Sequence, residues 1–130
     1  MREYKYLKVT KQGQVTIVHL PNETGDRLET VQMNDELLSL SEGPAPVQLV
    51  VTFDEARWFG SEAIGALIRL VTRIRANDGD VRLSSMSKNV RKIFEICNLI
   101  GTVFKAYDTT AEAVESYAPD EGADPAAPWP

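Results

Sequence analysis

Apolar and polar positions alternate from Tyr4 to Val9, with Tyr4, Tyr6 and Val9 set against Lys5 and Lys8. Across a Gln12-Gly13 turn, Val15-Thr16-Ile17-Val18-His19-Leu20 is likewise strand-like. Period two is the strand period, so the pattern predicts an N-terminal hairpin. Pro21 to Gly25 stops the second strand, and Leu28, Val31, Leu37, Leu38 and Leu40 then recur at near-helical spacing as far as Gly43-Pro44. That spacing predicts a helix, with a stripe blurred by Met33 and Asn34. Val47 to Phe53 is almost continuously apolar and of strand length, which predicts a strand buried on both faces in the middle of a sheet.

The clearest helix follows. Ala63, Ile64, Leu67, Leu70, Val71 and Ile74 form one apolar stripe, Arg69, Thr72, Arg73 and Arg75 point elsewhere, and Asn77-Asp78-Gly79 ends it. Val81, Leu83 and Met86 make a further period-two segment. Ser87 is a candidate N-cap for a helix carrying Val90, Ile93, Phe94 and Cys97, closed near Asn98 and Gly101. Val103 to Tyr107 reads as a short strand, and Asp108-Thr109-Thr110 caps a last helix through Ala111, Val114 and Tyr117. Strands alternate with helices, so the expected fold is α/β: one domain over residues 1–117, a mixed sheet with an N-terminal hairpin, covered by about four helices.

Beyond Ala118 the composition changes to prolines and acids, with Asp120, Glu121 and Asp124 and no basic residue. Such a segment buries too little apolar area to offset its ordering entropy, so residues 118–130 are expected to form a disordered tail, in which Trp129 is the one residue suited to docking.

At 130 residues with a net charge of -5, the chain suffices for a single core without staples. Its basic residues (Arg69, Arg73, Arg75, Lys88, Arg91, Lys92) are interleaved with core positions rather than gathered with aromatics, which argues against nucleic acid as a direct partner. No stretch approaches the roughly 20 apolar residues that cross a membrane. A single cysteine, Cys97, has no internal disulfide partner and is expected to be a small buried hydrophobe. A cytoplasmic location is the expectation.

Enzyme chemistry finds little support. One histidine, His19, and one cysteine do not assemble a zinc site of the usual kind, and His19 in a strand reads as structural or exposed. There is no Walker loop, no G-x-G-x-x-G after a strand and no Ser-His-Asp spacing. Asp54-Glu55 after the central strand reads as a solvated loop rather than an acidic metal pocket. No cofactor and no catalytic activity are expected. The distinctive stretch is Trp58-Phe59-Gly60-Ser61-Glu62-Ala63-Ile64-Gly65-Ala66-Leu67, which places Ser61 where a strand passes through glycine into a helix. Free backbone N–H groups and the positive end of the helix dipole favour an oxygen, a phosphate or an acidic partner there.

The strand from Val47 to Phe53, that turn, the helix start Ser87-Lys88-Asn89-Val90-Arg91-Lys92-Ile93-Phe94 and the segment Asn98 to Asp108 together resemble the STAS domain, the fold of anti-sigma factor antagonists. The resemblance covers most of Tyr4 to Tyr117. In that family the turn usually reads D-S-S-G-L-G-A-L and its first serine is the phosphorylatable switch, so the resemblance gives Ser61 the acceptor role. It implies an anti-sigma factor or related serine kinase as protein partner, docking on Arg57, Trp58, Phe59, Gly60, Ser61 and Glu62 together with the turn residues Asn22, Glu23 and Thr24. The turn departs from the pattern around the serine. Gly60 stands in place of the aspartate, Glu62 replaces the second serine and Ala63 the glycine. Three readings follow: a phosphoswitched antagonist, a constitutive binding module in which Glu62 supplies a permanent charge, and a carrier of a nucleotide or lipid at the same helix start.

Overall fold

A computed structural model describes residues 4–21, 27–44, 46–56 and 61–117, with the backbone alone for residues 27–30 and 61. Five strands form one sheet in the order β1(Lys8–Gln12), β2(Val15–His19), β3(Gln48–Thr52), β4(Asp80–Ser84), β5(Lys105–Tyr107). The first pair is antiparallel and the other three are parallel. The expected mixed α/β fold with its N-terminal hairpin is what forms. Gly13 makes the hairpin turn tight, since its φ of 63° lies where a side chain is disfavoured.

Register sorts the strand residues onto two faces. Val18, Val51 and Leu83 stand in one row, and Ile17, Val50 and Arg82 in the adjacent row on the opposite face. The first face carries the main core, packed under α1(Arg27–Ser39), α2(Ser61–Arg75) and α3(Lys88–Ile96), with a short 3-10 turn (Leu40–Glu42) after α1. The second face is covered by α4(Thr110–Glu115), whose Ala113 and Val114 pack on Val15, Ile17 and Val50. With both faces covered, β3 is buried along almost its whole length, as its apolar run predicts.

Caps fall where the sequence puts them. The Ser87 hydroxyl accepts from the Val90 N–H, and the Thr109 hydroxyl accepts from the Glu112 N–H at 3.1 Å while donating to the Glu112 carboxylate. Both α2 and α3 end in a Schellman arrangement, with Asp78 (φ 66°) and Asn98 (φ 57°) in the left-handed region. Gly79 N–H bonds to Ile74 O at 3.0 Å and Leu99 N–H to Phe94 O at 2.9 Å.

Several expectations are corrected. The first strand begins at Lys8 rather than Tyr4, because the backbone N–H groups of Lys5, Tyr6 and Leu7 are taken by the buried Glu36 carboxylate at 2.7 to 3.1 Å, leaving no ladder to join. The last strand begins at Lys105, not Val103. Cys97 is exposed, not buried. It caps α3, and the reversal at Asn98 turns Leu99 into the core in its place. The stripe of α1 also differs: Val31 is 43% exposed while Met33, Asn34, Glu36 and Leu37 are buried. The expected tail, with Trp129, lies outside the described residues.

Candidate functional site

Strands β2, β3 and β4 run parallel, so their carboxyl ends and the starts of the three following helices gather at one edge of the sheet. In open α/β sheets this edge is where ligands and partners are met. The ladder extends past the strands here. Leu20 N–H reaches Thr52 O at 3.3 Å and Phe53 N–H reaches Ser84 O at 2.9 Å. Phe53 is 2% exposed and meets Phe94 edge to face at 5.8 Å, and Phe94 meets Phe104 at 6.0 Å. The loop after β3 therefore departs from a rigid base.

Ser61 begins α2, as the sequence predicts, and Glu62 is exposed in the first turn, where its charge suits the helix dipole. Asn22, Glu23, Thr24, Arg57, Trp58, Phe59 and Gly60 lie outside the described residues. The two segments that hold them leave from paired strand ends, since His19 stands opposite Thr52 in the register. Their flanks are thus neighbours. Asp54 and Glu55 are exposed, as expected of a solvated loop, and no group of three or more His, Cys, Asp or Glu residues among the described ones is arranged to hold a metal ion.

Sequence reasoning missed the polar lining of this edge on the α4 side. His19 Nδ1 lies 3.4 Å from both carboxylate oxygens of Asp54, tying the end of β2 to the loop that leads to Ser61. Behind it, the Thr110 hydroxyl meets those of Thr52 (3.1 Å), Ser84 (3.0 Å) and Ser85 (3.2 Å), and Thr52 and Ser84 are fully buried. A hydroxyl can both donate and accept, so the knot satisfies buried oxygens that would otherwise each carry a desolvation cost. Ser85 sits at φ 59°, and its N–H still pairs with Tyr107 O at 3.2 Å. Arg91 links α3 to the β5–α4 turn through Asp108 at 3.7 Å and to Glu95 at 3.1 Å. The available signal was Thr52: a hydroxyl at the end of an otherwise apolar buried strand requires a partner.

The profile of one family, the STAS domain, matches residues 6–113. The chain belongs to the STAS family. Solved structures similar to this STAS domain include an anti-sigma-factor antagonist (STAS) domain protein from Planctomyces limnophilus, at 26% identity over 85% of this chain and 96% of that one, TM-score 0.75. The Bacillus cell fate determinant SpoIIAA in its phosphorylated form matches at 18% identity over 86% of this chain and 99% of that one, TM-score 0.64. Its unphosphorylated form, an anti-sigma factor antagonist, matches at 16% identity over 85% and 94%, TM-score 0.63. A comparison with curated protein sequences finds no significant match. No helix among the described residues is long and apolar enough to cross a membrane.

Proposed function

We propose that this STAS domain is a regulatory binding module whose carboxyl edge docks a protein partner, an anti-sigma factor or related serine kinase, and that Ser61 is its control point. The observation that carries the reading is the start of α2 at Ser61, on an edge shared by paired strand ends, in a chain of the STAS family. A relative solved with and without phosphate, SpoIIAA, supports a switch of the same kind here. Phosphate on Ser61 would add about -1.5 to -2 charges beside Glu62. The helix N-terminus tolerates that charge within the domain, typically gaining 0.3 to 1 kcal/mol, whereas an interface that buries it unpaired loses several kcal/mol. Folding survives and docking fails.

The test compares wild type, Ser61→Ala and Ser61→Asp for melting temperature and for capture of partners from a lysate of the native cell, with mass spectrometry for phosphate. The expected outcome is unchanged melting in all three, with capture lost in Ser61→Asp alone. Equal capture by Ser61→Asp, with no phosphate found on Ser61, transfers the reading to a constitutive module. Glu62, exposed beside the serine, is the observation that favours this second reading.

A further inference from the structure

At the opposite, amino end of the strands a cavity of about 450 Å³ opens between the hairpin and the segment joining α1 to β3. Its volume lies within the range of small-molecule sites. The floor is apolar: Leu49 is fully buried, Leu40 is 8% exposed, and Val9 and Val47 are half-buried against the main core. Pro44 and Pro46, each with its φ fixed by the ring, line one wall. The rim carries two opposite charges, Lys11 from β1 and Glu42 from the 3-10 turn. Both are exposed, and among the described residues neither forms an ion pair, with the other or with anything else. Gln14 and Gln48 add amide groups to the same rim.

We propose that this cavity binds a small zwitterion with an apolar side chain, of the chemistry of a free apolar amino acid. An apolar body displaces water from the floor, and its two charges are each met at the rim. A simple carboxylate would leave Glu42 facing a like charge, and a simple amine would leave Lys11 facing one; either repulsion opposes binding. The cavity is separated from the start of α2 by the five residues of β3, roughly 13 to 17 Å of strand. It therefore stands apart from the docking edge, and the inference holds or falls independently of Ser61.

Titration of the ¹⁵N-labelled full chain with L-phenylalanine, and in parallel with 3-phenylpropionate and phenethylamine, tests it. Saturable shifts are expected at the amides of Gln14, Thr16 and Gln48, with a dissociation constant on the order of 1 mM for a ligand of this size. The two analogues should bind at least tenfold more weakly. Lys11→Glu and Glu42→Lys should each weaken L-phenylalanine at least tenfold with unchanged melting temperature, both positions being exposed. Absence of saturable shifts, shifts centred on the carboxyl edge, or equal binding of 3-phenylpropionate overturns the proposal, the last by making the site one for carboxylates.

Discussion

Tyr117 ties the segment after α4 to the sheet. Its hydroxyl lies 2.8 Å from Leu49 O and 2.7 Å from Asp80 O, and the Arg82 guanidinium stacks 4.0 Å from the centre of its ring. Arg82 is a charged residue 8% exposed in the middle of β4, and Asp80 and the Ser116 hydroxyl meet it there. Burial, with the Asp80 carboxylate nearby, pushes the Tyr117 hydroxyl above its usual value. The sign follows: a phenol that resists ionisation in the folded state gives stability that is present below the unfolded value near pH 10 and lost as pH rises above it. Chemical denaturation from pH 8 to 11 should show that alkaline loss in wild type and a smaller one in Tyr117→Phe, which at neutral pH should cost about 1 kcal/mol. Gly79 is constrained differently. A Cβ there would stand 2.2 Å from Val47 O, a backbone atom that already accepts from Asp80 N–H at 3.0 Å. Gly79→Ala should lower stability by about 1 to 3 kcal/mol or more, read as a shifted denaturation midpoint. The sequence marks Gly79 as a helix end; the contact with Val47 is a property of the assembled sheet and leaves no trace in local pattern.

Among the elements, α2 and β3 are legible because each has a single simple environment, a one-sided stripe and a two-sided run. Helix α1 is not, because three polar residues on its described part, Asn34, Glu36 and Ser39, are buried. Glu36 serves the backbone of residues 5–7, and Asn34 carries an Oδ1 that finds no partner among the described residues. A polar residue that faces inward to bind a distant backbone looks, in sequence, like one that faces solvent. Glu36→Ala should cost about 1 to 3 kcal/mol by orphaning those N–H groups, and hydrogen exchange should show the amides of Lys5, Tyr6 and Leu7 losing protection ahead of the sheet. Asn34→Leu should have the opposite sign, stabilising by about 1 kcal/mol in the same denaturation assay, since it removes an unsatisfied buried atom. At the end of α3, periodicity carried one residue too far predicts a buried Cys97. The left-handed Asn98 breaks that period and seats Leu99 instead.

For the whole molecule, the mixed α/β class and the N-terminal hairpin follow from the alternation of β and α segments, whereas the strand order and the division of the helices between two faces are properties of the assembled sheet, which places Ser61 at the carboxyl edge. The site as a set was legible only through family resemblance, since a serine before a helix is by itself an ordinary cap; the His19–Asp54 contact and the hydroxyl knot depend on register across separate strands and escaped it. The last boundary belongs to composition. Residues 118–130 contain Trp129 as their sole large apolar side chain, amid prolines and three acids, so they offer the core almost nothing to bury. Tyr117 already anchors the chain at the amino end of β3 and β4, the end of the sheet at which the cavity also opens, but on the α4 face rather than the main-core face. Truncation after Tyr117 should accordingly leave the melting temperature within error of wild type and the L-phenylalanine titration unchanged. A drop in melting temperature together with tighter L-phenylalanine binding would instead identify Trp129 as an occupant of that cavity, competing for the same apolar floor.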